Sequence, residues 1–228
     1  MKGTYKLTLF ILAIVFLAAC SRKKNTFLNR NIQAVTTEYN TLYNGDMAFT
    51  DAKDQLAYGF RDNFWEILPV ERIDIEEAET KAPGANKNGG GGFNRAEEKA
   101  AKAIQKHSMY IDGKEYNPQI DEAYMLLGKA RYYDGRFIPA LDAFNFILDR
   151  YPTSNNINVA KVWKAKTNIR LKNEEYAIEN LKKMFAEAEL EEEEMAEGAA
   201  MMTQAFINLD SLQPALEYIK IATENVND

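Results

Sequence analysis

Chemistry at a protein site needs a nucleophile, a base or a set of ligands, and this chain of 228 residues holds one thiol, Cys20, and one imidazole, His107. A thiol or hydroxyl attacks only when a base stands ready to take its proton. His107 has alanines (Ala100, Ala103) on its helix face and no cysteine partner, which fits packing or a surface place better than catalysis or metal binding. Glu191, Glu192, Glu193 and Glu194 are consecutive. On a helix such a run fans around the axis and does not converge on one cation, and no EF-hand loop accompanies it. A helix N-terminus, where the dipole favours negative charge, or a solvated linker accounts for it better. Gly89 to Gly92 precede Phe93-Asn94-Arg95, which lacks the Lys and Ser/Thr that a phosphate loop requires. The expectation is a non-enzymatic protein with no metal or cofactor.

Cys20 has a different use. It closes Leu17-Ala18-Ala19-Cys20 at the end of an apolar run that follows Lys2 and Lys6. A positive start, a short apolar stretch and small residues before a cut make a secretory signal over residues 1–19. Leu7 to Ala19 is short for a membrane span, which takes ~20 residues. A cysteine at the cut resembles the bacterial lipoprotein box, and the resemblance implies a Cys20 thiol that is diacylated and a freed amine that is acylated. No twin arginine precedes the run, so general secretion is the expected route.

Cleavage removes two lysines and no acids, taking the net charge from −6 to −8 over 209 residues (228 − 19). Without a basic excess, phosphate neutralisation fails, and nucleic acid is excluded as a partner. The expected links are a membrane, through lipidated Cys20, and protein partners. Residues 20–30 form a tether, with Arg22, Lys23 and Lys24 favouring anionic head groups at ~1 kcal/mol each. Basic rather than acidic residues after the cysteine argue for a periplasm-facing leaflet.

The elements behind the anchor read as helices. Asn31 to Asn44 places Ile32, Val35, Tyr39 and Leu42 at helical spacing, with Gly45 at a C-cap position. Met47 to Phe60 continues with Ala48, Ala52 and Leu56 on one face, so residues 31–80 are expected to form a helical hairpin and an ordered loop, the latter around Arg61 to Glu71. Pro83 and five glycines mark residues 81–93 as a flexible linker. Asn94 with Glu97 has the spacing of a capping box, opening a helix over Ala96 to Ser108.

An internal repeat organises residues 94–228. Asp121 to Ser154 spans 34 residues and resembles one tetratricopeptide repeat, with Tyr124, Leu127, Gly128, Ala130, Gly135, Phe137, Ala140, Phe144 and Pro152 at its fixed offsets. Gly128 and Ala140 are small where two helices cross, and Pro152 ends the second helix. A shift of 37 residues carries Gly128 to Ala165, Ala140 to Ala177 and Phe144 to Leu181; a further 38 reaches Thr203, Ala215 and Ile219. The clearest copy is thus 121–154, followed by weaker ones over about 155–190 and 191–228. Lys164 and Glu174 depart from the second copy's pattern, leaving Trp163 as its buried aromatic. The fold class expected is all-α, a tetratricopeptide-like helical-hairpin solenoid.

In such a solenoid the first helix of each pair lines the concave face. The exposed positions there are Met125, Lys129, Tyr132 and Tyr133, then Lys166 and Arg170, then Gln204 and Asn208. Cations beside tyrosines on an acidic protein suit an acidic peptide or a C-terminal carboxylate.

Three stretches carry a family resemblance: CSRKKNTFLNRNIQAVTTEYNTLYNG (20–45), DNFWEILPVER (62–72) and the repeats from Asp121. Together they are similar to the tetratricopeptide lipoprotein of the gliding-motility and type IX secretion machinery of Gram-negative bacteria. The resemblance implies an outer-membrane lipoprotein facing the periplasm, a scaffold rather than a catalyst. Members of that family are much longer, so a truncated form, or a partner covering the end after Ala215, Ile219 and Ala222, is expected. Two alternatives remain. The repeat ending Arg150-Tyr151-Pro152-Thr153-Ser154 also resembles the lipoprotein of the outer-membrane β-barrel assembly machine. A nutrient-binding lipoprotein built on similar repeats ranks third, because glycan capture wants exposed Trp platforms and both Trp65 and Trp163 sit in apolar sequence contexts.

Overall fold

The computed structural model describes residues 25–75 and 90–225. The signal segment, Cys20, the start of the tether and residues 81–89 of the expected linker lie outside the described residues. The chain is all-α. Its elements are α1 (Phe27–Thr37), a π turn (Glu38–Leu42), α2 (Tyr43–Gly59), α3 (Gly90–His107), a two-stranded ribbon of β1 (Tyr110–Ile111) and β2 (Lys114–Glu115), α4 (Ile120–Tyr133), α5 (Phe137–Arg150), α6 (Ile157–Arg170), α7 (Glu174–Glu187), α8 (Glu192–Asn208) and α9 (Leu212–Glu224). From α2 onward each helix packs on the next in sequence. Three hydrophobic clusters follow the stack, the first with Ala96, Ala100 and Leu126, the second with Tyr132, Phe144 and Trp163, the third with Leu181, Met202 and Ala205.

The first two segments are not a hairpin. Phe27 to Gly59 is helical without a break, ~50 Å long at 1.5 Å per residue. Gly45 is no cap: it lies within α2, where an added Cβ would come 2.6 Å from Leu126 Cδ2. It is the residue that lets α2 approach α4. The glycine-rich stretch differs from expectation as well. Gly90 to Phe93 are already helical, and Phe93 is buried between Phe49 and Tyr133, stacked on the latter at 5.5 Å between centroids. Burying that ring outweighs the entropy of ordering the glycines beside it. Asn94 therefore sits inside α3, and Glu97 bonds Arg131 Nε at 2.8 Å and pairs with Arg136 instead of closing a capping box.

The three later hairpins share one turn. Gly135, Lys172 and Asp210 have φ of 78°, 62° and 54°. Each donates its N–H to the carbonyl three residues back, at 3.0, 3.1 and 3.0 Å. Their spacing reproduces the shifts of 37 and 38 residues seen in the sequence. Close approach at the crossing is equally visible, since a Cβ on Gly128 would come 2.5 Å from the Phe144 ring. The equivalent Ala165 and Thr203 are buried, as are Ala140, Ala177 and Ala215. Glu191 caps α8, with Glu194 Oε2 accepting from the Glu191 N–H at 3.1 Å, so the acidic run begins a helix.

Candidate functional site

The residues expected to face a partner line the inner side of α4, α6 and α8, and a segment of the chain itself crosses the space before them, leaving a cavity of about 420 Å³ beside Glu71, Lys166 and Arg170. Residues 60–75, which follow α2, cross these helices as an extended strap without regular secondary structure. Its order comes from contacts with the stack. Val70 donates its N–H to Gln204 Oε1 on α8 at 2.8 Å and packs beside the Met201 and Met202 cluster. Ile73 is buried with Ala52, Tyr133 and Trp163. Arg72 folds the strap back onto Asp62, with Nε 3.0 Å from Oδ1.

Glu71 is the centre of the strap. Its carboxylate meets Lys166 Nζ at 2.6 Å and Arg170 Nη2 at 2.9 Å, and accepts hydroxyl protons from Tyr132 at 2.7 Å and Tyr133 at 3.2 Å. Burial alone would raise the carboxyl. The Lys166 ammonium, the hydrogen bonds from Lys166 and Tyr132 and the Arg170 guanidinium outweigh it and hold Glu71 below the usual range. The same burial, with Glu71 beside them, pushes both tyrosines up. Lys166 also stands 4.5 Å from the centroid of the Trp163 ring, a contact between cation and aromatic face that strengthens as water is excluded.

The eight expected partner-facing residues therefore divide. Met125, Tyr132 and Tyr133 are buried in the core rather than exposed, because the strap and the aromatic cluster of Phe49, Phe93 and Trp163 close over them. Lys166 and Arg170 are taken by Glu71. Gln204 accepts from Val70 and donates to Asn208 Oδ1 at 2.8 Å, and Asn208 donates to Glu174 Oε1 at 3.0 Å. This contact gives the buried Glu174 a partner at the position where the repeat pattern wants an aromatic. Lys129 is partly buried, its Nζ 5.2 Å from the Trp163 centroid, and burial lowers its pKa. A carboxylate is the ligand these cations and tyrosines hold, and here it comes from residue 71. The signal for Glu71 in the sequence was one acid closing the apolar run ILPV, with four cations and no acid on α6 (Lys161, Lys164, Lys166 and Arg170).

His107 places Nδ1 2.7 Å from Gln33 Oε1. Among the described residues no group of three or more His, Cys, Asp or Glu side chains converges to hold a metal ion.

Beyond the strap, the far end of the stack carries an apolar groove of about 730 Å³. Ile67 and Leu68 of the strap form one wall, and Leu212, Leu216 and Ile219 of α9 the other. Ile219 corresponds to Phe144 and Leu181, yet it is 44% exposed where they are 0% and 1%. Trp163 is buried, but Trp65 corrects the expectation of an apolar context: it is 97% exposed at the strap's outer turn, near Phe64 and Tyr58, which are also exposed.

No family model matches this chain, and no curated protein matches it.

Proposed function

We propose that this chain is a membrane-tethered periplasmic scaffold of tetratricopeptide-like repeats, anchored to the outer membrane through acylated Cys20. It holds protein partners rather than catalysing a reaction. The observation that carries the reading is the apolar groove at α8 and α9. In the two preceding hairpins the residues equivalent to Ile219 are covered by the next helices, so the groove is shaped for one more apolar helix, supplied by a partner. The repeated turns at Gly135, Lys172 and Asp210 support the repeat assignment. The resemblance of residues 20–45 and 62–72 points to the type IX secretion and gliding-motility machinery as the setting.

The test is cross-linked purification of the native lipoprotein from detergent-solubilised membranes, read by mass spectrometry, beside a Leu216→Asp variant. Secretion or motility components recovered with the wild type and lost with the variant are expected. Barrel-assembly components, or equal recovery from both proteins, would overturn the reading. Glycan capture has one observation in its favour, the exposed Trp65. Titrating Trp fluorescence with oligosaccharides decides it, since a saturable shift abolished by Trp65→Ala would make that second reading the better one.

A further inference from the structure

The first helix is turned inside out. Gln33, Thr37 and Thr41 are buried. Gln33 meets His107, and Thr37 Oγ1 accepts from Asn117 Nδ2 at 2.9 Å while donating to the Gln33 carbonyl at 2.6 Å. The outer side carries Leu28, Ile32, Val35, Tyr39, Tyr43 and Met47, each at least half exposed, with Phe27 at its start. A helix facing water shows the reverse arrangement. From Val35 onward these residues step by four, which on a regular 3.6-residue helix would drift off the face. The wider turn at Glu38–Leu42 delays the rotation, and Tyr43 and Met47 stay exposed like Ile32 and Val35. A continuous apolar stripe of this length marks a contact surface.

Its position and charge select the occupant. Phe27 lies seven residues after Cys20, a reach of at most ~25 Å. From Cys20 to Tyr43 there are four basic residues (Arg22, Lys23, Lys24, Arg30) and one acid, Glu38, on a chain of net charge −6. A second copy docking by the same face would set this basic cluster against itself. An anionic head-group layer complements it. Tyr39 and Tyr43 add rings with an apolar body and a polar tip, the kind that settle at a lipid boundary. Among the described residues no helix is long and apolar enough to cross a membrane, so α1 would lie on the surface.

We propose that the outward face of α1 and the π turn after it, from Phe27 to Tyr43 at the start of α2, docks on the anionic surface of the bilayer that holds the anchor. The inference rests on acylation of Cys20 for its reach. Lipid and helix are then two signals in one chain, and two hold far better than one. Docking also fixes how the helical stack stands on the membrane, where a bare tether would let it swing.

The native lipoprotein is reconstituted in vesicles of three parts phosphatidylethanolamine to one part phosphatidylglycerol, with a fluorophore on Val35→Cys or, as control, Lys183→Cys. Brominated lipids should quench the Val35 label roughly twofold or more over the control, because the apolar side of an interfacial helix sits ~5–10 Å into the boundary. Equal quenching at both sites, with Cys20 acylated in the mass spectrum, overturns docking and leaves the tether standing. Cross-linking between Val35 labels of two copies without lipid quenching also overturns it and assigns the face to a dimer. If the mass spectrum shows unmodified Cys20, the tether reading falls, and flotation of that same chain with these vesicles decides docking. Flotation lost in the Ile32→Asp/Val35→Asp double variant upholds it; no flotation of the parent overturns it.

Discussion

α6 and α1 have exchanged the environments that the polarity of their side chains predicts. α6 presents Lys166 and Arg170 to what a bare solenoid would leave as an open concave surface, yet both are engaged by Glu71 and shielded by the strap. α1 presents Leu28, Ile32 and Val35 outward and buries Gln33 and Thr37. The difference teaches that polarity alone does not sort surface from interior. A cation goes inside when a distant carboxylate meets it, and a threonine or glutamine when Asn117 and His107 supply partners.

Removing the carboxylate breaks the comparison most strongly. Glu71→Ala leaves Lys166 and Arg170 shielded without their counter-charge, and should cost roughly 3 kcal/mol in urea unfolding. Hydrogen exchange at the Val70 amide should speed up in the same variant, because the strap loses its central contact. A smaller effect comes from pH. Folding lowers the Glu71 pKa, so its stabilisation is complete above the ordinary glutamate range and is lost as pH falls through the lowered folded value. Thermal melts from neutral to acid should show that loss in the wild type, with a flatter slope in Glu71→Gln.

The inverted helix makes the complementary predictions. Thr37→Val keeps the shape but removes an acceptor from Asn117 Nδ2, whose other contact is the His107 carbonyl at 2.9 Å. About 1–2 kcal/mol should be lost, measured by denaturant unfolding. Val35→Asn on the same helix should move stability by no more than about 0.5 kcal/mol, because the residue is exposed and touches no such network. A large loss in Val35→Asn would mean that the stripe serves the fold rather than the surface.

Particular residues show how far the sequence could be read. Gly128, Ala140 and Phe144 announced a helix crossing, and their counterparts one and two shifts later follow the same hairpin turns. The hairpin at Asp112-Gly113 between α3 and α4, with φ of 49° and 82°, went unread, because two-residue strands carry no period. Gly45 looked like a cap because glycines commonly end helices; its role at the α2–α4 contact depends on Leu126, far along the chain. Lys166 and Arg170 were legible as carboxylate-binding chemistry. That the carboxylate belongs to Glu71 was not legible, because the strap has no period and its partners lie 61 to 99 positions away in sequence.

From α4 onward the sequence by itself determined the helices, their hairpin turns and the small residues at their crossings, since these depend on nearby residues. It also determined the charge balance and the chemistry of each side chain. Only the tertiary structure decided which of those side chains are free. The strap's passage over α4, α6 and α8, and the polar seam beneath α1, are contacts between distant segments, whose partners are set by packing of the whole chain rather than by any local pattern.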